Sequence, residues 1–311
     1  MSSSDYIWLT LGTHHYVVVN GSREVVSRLT SNVRHIHLSS CITRIQPDNG
    51  DSRLVSITCN TPEDTTVHTG FHHVIFATQA PRAVPLLQSY LASLPAEAIQ
   101  RNAIAAQIES LSAFRYTSTI VVNHTDDSLI PDRPGDRRDL NLVTVDRSGC
   151  GNAEGSVKSS CFKGVPLTAL VSETHTMATQ VLPVPTGYAK ELPQVYQTTN
   201  PIIAPREGTV VSVAVLERAV LTLEAKRSLQ GLHEETGRRW WQCRVESSAK
   251  LGRLQGAGRM DGAGVVHGVW ICGSFAYGGI PLLEGCVVSA RTVVEQGLLA
   301  SEGVAVKNSP W

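Results

Sequence analysis

The chain alternates between short apolar runs and polar turns, with few long amphipathic stretches. YVVV (16–19) is β-like, Asn20-Gly21 turns the chain, and Ser22 is placed to cap a short helix bearing Val25, Val26 and Leu29. VRHIHLSSCITRI (33–45) reads as one or two strands, and RLVSITC (53–59) follows the turn PDNGD. HHVIFATQ (72–79) suits a short buried strand; Pro81 and the spacing of Val84, Leu87 and Leu91 then predict a helix. A helix is expected over 96–113, strands over 116–124 and 141–146, and a polar loop over 126–139 between them. From Arg147 to about Val165 periodicity fails, as it does over 234–264 around Trp240-Trp241. ETHTMATQVL (173–182) has strand character, and residues 212–231 carry a helical pattern.

The most regular stretch is GVWICGSFAYGGIPLLEGCVVSARTVVEQGLL (268–299). A strand enters a Gly-rich turn, Pro281 suits a first helical turn, and Leu283, Val287, Ala290, Val294 and Leu298 recur at steps of four, three, four and four. That spacing predicts one apolar helix face packed on a sheet. A helix start near 281–284 offers unpaired N–H groups and partial positive charge, suited to a phosphate or an electron-rich ring edge. A well-built strand–turn–helix with no ligand accounts for the pattern equally well.

Lys+Arg and Asp+Glu number 27 each, which argues against a dedicated binder of nucleic acid or anionic membrane. Seven cysteines without C-x-x-C spacing read as free thiols in a reducing compartment. The N-terminus lacks a signal-peptide pattern and no apolar run is long enough to span a bilayer, so a cytoplasmic protein is expected. Among the histidines, His35 and His37 would share a strand face and begin a metal site, but no third ligand is visible and no metal is expected. His72 and His73 should point to opposite strand faces. Glu173, His175 and His124 are weak acid/base candidates, with a surface pair the plainer account of the first two. Cys272 and Cys286 flank the Gly-rich turn and read as packed small hydrophobes. A helix start alone explains Glu284.

CGSFAYGGIPLLEGCVVSAR resembles the C-terminal signature of flavin-containing amine oxidoreductases, in particular their fungal FAD/NAD(P)-binding branch. YVVVNGSREVVSRLT, VRHIHLSSCITRI, HHVIFATQAPRAVPLL, and VYQTTNPIIAP with LERAVLTLEAKRSL fit in the family's order. The resemblance implies an α/β (mixed α+β) fold: an incomplete FAD/NAD(P)-binding Rossmann-like domain plus an antiparallel-sheet substrate domain. Residues 1–95 and 233–311 would form the FAD-binding-like part, and 96–232 the substrate-domain-like part. The resemblance further implies FAD as cofactor and hydride transfer from a small-molecule substrate, in secondary metabolism. Gly273 and Ser274 would lie near the ribityl and pyrophosphate, and Leu283 and Glu284 would turn backbone N–H groups to the isoalloxazine. Ile42 would use its backbone on the adenine, and Ala77 and Thr78 would lie beside the dinucleotide.

The family's G-x-G-x-x-G βαβ unit has no counterpart here. Gly149, Gly151 and Gly155 have the wrong spacing, and Gly256, Gly258 and Gly262 precede a strand rather than follow one. HHVIFAT and GVWICGS would then adjoin an absent element. Either the remaining strands re-pair, or self-association or another chain fills the gap, or the sequence is an incomplete version of a longer protein. Two other functions stay open: a cofactor-free isomerase or cyclase reusing the cleft, and a non-catalytic remnant.

Overall fold

The computed structural model describes residues 21–98, 100–144, 161–162, 165–166, 176–184, 192–220, 222–234, 250–256, 268–278 and 283–305. Among the described residues the architecture is mixed α and β, with several antiparallel sheets and a parallel pair. The chain divides into two units, residues 1–115 with 219–311, and residues 116–218.

In the first unit, α1 (Ser22–Thr30) begins after Gly21, and no side chain caps it. Its Val25, Val26 and Leu29 are all exposed. Strands β1 (Cys41–Pro47), β2 (Val55–Asn60) and β3 (Thr65–Phe71) form an antiparallel sheet in that order. The strand expected from residue 33 starts only at Cys41, because 33–39 is exposed and has no ladder partner to fix an extended backbone. His35 and His37 therefore share no strand face; His37 instead meets the His68 ring at a centroid distance of 4.8 Å.

β4 (His73–Phe76) leads into α2 (Ala80–Ser93), which has Pro in its first turn and buries Ala80, Ala83, Leu87 and Tyr90 at steps of three, four and three. α2 packs on β1 and on α3 (Gln100–Ser112). α3 buries Ile104 and Leu111, and between them the polar Gln107, with no exposed surface, and Ser110.

The second unit is built on β5 (Arg115–His124), β6 (Leu140–Thr144), β9 (Thr176–Val181), β10 (Tyr196–Thr199) and β11 (Val210–Val220), in the order β11-β5-β10-β9-β6. The pairs β5–β10, β10–β9 and β9–β6 are antiparallel. A separate small hairpin pairs β7 (Cys161–Phe162) with β8 (Val165–Pro166). The helix expected over 212–231 is corrected to a strand through Val220 and a helix, α4 (Leu223–Leu232). Val210, Val211, Val213 and Val215 favour the strand, and Thr222 caps α4 by accepting the Ala225 N–H at 3.0 Å.

After β12 (His233–Glu234) and β13 (Lys250–Leu251), β14 (Gly268–Ile271) runs parallel to β4, with Ile271 opposite Phe76. The two strands expected to flank an absent element thus pair with each other. The far edge of β14 is also occupied. Val269 O accepts from Gly256 N at 3.0 Å and Gln107 Nε2 at 3.1 Å. Ile271 N donates to Gln255 Oε1 at 2.9 Å, and Gln255 Nε2 returns to Ile271 O at 2.7 Å. The Gln255 side-chain amide does what a neighbouring strand's peptide would do, so these buried backbone groups are satisfied.

α5 (Leu283–Thr292) continues through a π-turn, Val293–Leu298, into a last turn at Leu299–Ser301. Its orientation overturns the periodicity argument for Leu283, Val287 and Val294, while Ala290 does pack on the core. Leu283, Val287 and Val294 are 80%, 55% and 37% exposed. The buried positions are Gly285, Ser289, Thr292, Val293 and Gly297. The reason is Trp270, 1% exposed in a cluster with Cys272 and Val293. Its indole needs width, so the helix turns its small residues inward. Gly285, Ser289, Val293 and Gly297 are spaced by four, which drifts around an α-helix of 3.6 residues per turn. The wider π-turn keeps Gly297 over the indole.

Candidate site at the parallel strand ends

β4 and β14 end together: Cys272 N donates to Phe76 O at 2.9 Å. Ala77-Thr78 and Gly273-Ser274 therefore leave the same sheet edge side by side. Each precedes a helix, α2 from Ala80 and α5 from Leu283. In sheets with parallel strands, ligands collect at the carboxyl ends, where backbone N–H groups of following turns and helices converge.

Gly273 has φ +144°, a region that favours glycine, and a Cβ there would stand 3.1 Å from the Phe275 ring. Ser289 fixes this turn from α5. Its Oγ accepts the Gly273 N–H at 3.0 Å and lies 3.0 Å from Gly273 O. Ala77 and Thr78 are exposed, and Gly273 and Ser274 half-buried. The rim is small and uncharged, open to backbone contact with a ligand. Arg82 is exposed in the first turn of α2, the helix that follows one of the two turns. Leu283 and Glu284 open α5 with exposed side chains.

Four expected cofactor residues thus come together, Ala77, Thr78, Gly273 and Ser274, with Leu283 and Glu284 on the helix braced against that turn. Ile42 lies on another sheet, 41% exposed in β1 and opposite Cys59. Cys272 is buried, and its burial, reinforced by nearby Cys286, pushes the thiol up to about 11. His72 is exposed. His73 is half-buried, accepts the Trp270 indole N–H at Nδ1 (3.2 Å), and meets Glu302 at Nε2 (2.7 Å).

Glu173, His175, Gly149, Gly151, Gly155, Gly258 and Gly262 lie outside the described residues. Among those described, no group of three His, Cys, Asp or Glu could hold a metal, and no helix is long and apolar enough to cross a membrane.

His124 sits in the second unit with no exposed surface. Its Nδ1 accepts the Asp126 N–H at 3.2 Å, which leaves the ring proton on Nε2, 2.7 Å from Thr198 Oγ1. Thr198 in turn lies 2.8 Å from Thr179 Oγ1. In this position the imidazole ties three strands together and has no face for a substrate. Burial pushes its pKa down, against a weaker upward pull from the Asp126 carboxylate. The unfolded chain therefore takes up a proton first as the pH falls below about 6.5. Stability should decline as the pH drops through that region, and His124→Gln should flatten the slope. Urea unfolding at pH 7.5, 6.5 and 5.5 measures this; identical slopes in both proteins would remove His124 from the account.

The residues that sequence reasoning missed are Gln107, Gln255, Ser289 and the Asp126–Arg206 pair. Gln107 alone left a signal, a polar residue at a helical core position. No protein-family model matches the chain, and comparison with curated proteins finds no match.

Proposed function

We propose that this chain is an FAD-dependent oxidoreductase of the amine-oxidase type, acting in the cytoplasm on a small molecule of secondary metabolism. The observation that supports it is the paired rim, two backbone turns leaving adjacent parallel strands at one edge, each followed by a helix. The residues there fit the group. Gly273 has no side chain to block approach, Ala77 and Thr78 are small, and Arg82 would offset diphosphate charge. The α5 start, at Leu283 and Glu284, would turn its N–H groups to the electron-rich ring edge. When bound, FAD supplies hydride acceptance from a C–N or C–H bond, with oxygen as final oxidant. The protein's share is orientation, held by the Ser289 tie to Gly273 and by the β4–β14 pairing.

The test is a titration of purified protein with FAD, followed by flavin absorbance and fluorescence. Saturable, stoichiometric association is expected. Gly273→Ala should weaken it about tenfold, since backbone strain at such positions costs about 1–3 kcal/mol, with circular dichroism confirming the fold. Absence of association by a folded protein would overturn the reading. The occupied far edge of β14 favours a second reading, a cofactor-free, redox-neutral isomerase or cyclase that reuses the cleft. Turnover without flavin or oxygen would support it.

A further inference from the structure

β14 and α5 meet in antiparallel sense. Trp270 faces Val293 and Gly297, while Gly273 meets Ser289. Cys272 lies between these points on the same strand face as Trp270, two residues along. On the helix, Cys286 sits one turn ahead of Ala290, and Ala290 packs on the Trp270–Cys272–Val293 cluster. Strand alternation and helical spacing thus bring Cys272 and Cys286 to the same part of the seam. The backbones are close there: a Cβ on Gly285 would stand 3.2 Å from Ser274 O, and Ser289 Oγ reaches Gly273 N at 3.0 Å. Both thiols are unbridged, Cys272 buried and Cys286 half-buried.

We propose that Cys272 and Cys286 are a peroxide-sensitive dithiol that closes into a disulfide across the β14–α5 seam. The oxidant is hydrogen peroxide. The more accessible Cys286 sulfur attacks one peroxide oxygen, the O–O bond breaks, and water leaves; the cysteine becomes a sulfenic acid. The Cys272 sulfur then displaces that hydroxyl as a second water, and the S–S bond forms. Two thiols give two electrons to one peroxide. The crosslink pins the start of α5 to the 273–277 turn. This rests on the seam alone and is independent of flavin binding.

The full-length protein, carrying Cys41→Ser to remove an exposed thiol, is exposed to a few equivalents of hydrogen peroxide. It is then alkylated and digested without reductant. Mass spectrometry should find one peptide joining Cys272 to Cys286, lost on dithiothreitol treatment, with two thiols fewer on titration. Formation should speed up as the pH rises, because the deep thiol must ionise to resolve the sulfenic acid. Cys286→Ser should abolish the crosslink while Cys59→Ser preserves it, each with native circular dichroism. Cys286 passing to sulfinic acid without a crosslink, Cys272 pairing with another cysteine, or no thiol loss would each overturn the proposal.

Discussion

Gly297→Ala is expected to lower unfolding stability by about 2–3 kcal/mol, although alanine is the better helix former by about 1 kcal/mol. The added methyl would stand 2.4 Å from Trp270 Cζ3. The indole has no retreat. A Cβ on Gly256, on another part of the ring, would already approach Cη2 to 2.9 Å, and Nε1 donates to His73. The urea midpoint should fall with little change in slope. In a Trp270→Leu background the same substitution should turn neutral or mildly stabilising, because the clash is gone and only helix propensity remains. Equal costs in both backgrounds would mean the indole is not what Gly297 accommodates.

Asp126→Ala should destabilise the second unit by about 2–4 kcal/mol. The carboxylate is buried and receives four donors: Arg206 N (2.7 Å), Arg206 Nε (2.8 Å), Ser128 N (3.0 Å) and Ser128 Oγ (2.7 Å). Arg206 is 61% exposed, so its charge contributes less than the two backbone amides that would lose their acceptor. Burial raises the Asp126 pKa, yet the hydrogen bonds from Arg206 and Ser128 outweigh it and bring it to about 2. An unfolded aspartate ionises near 3.9. The stabilisation is therefore complete above about pH 4 and disappears as the pH falls through about 2. Denaturant melts of wild type and variant should converge over that range; a constant gap would assign the loss to shape rather than charge.

Residue type and turn chemistry made several first-unit elements legible, but not β3 (Thr65–Phe71). HHVIF marks β4, though its Ile75 is exposed, Pro81 marks the start of α2, and VWIC marks β14 as a strand, which the structure buries at all four positions. The pattern failed where a partner decides. VRHIHL is extended by composition, but residues 33–39 have no ladder neighbour. VVSVAVLERAV offers both periods, and β-branching at its start prevailed over helix formers at its end. On α5 the periodicity places the largest apolar residues inward, but the Trp270 indole occupies that space, and Val293, Gly297 and Ala290 lie against its cluster instead. As for the candidate rim, its glycines and neighbouring strand ends could be read from sequence, whereas the glutamines and serine that hold the strand in place act through contacts of long sequence separation that no local pattern encodes.

The amides that occupy β14 also govern how this sheet can recruit strangers. Among the described residues the parallel pair gains no third strand; Gln255 and Gln107 hold the outward N–H and C=O groups of β14, which withdraws that margin from intermolecular hydrogen bonding.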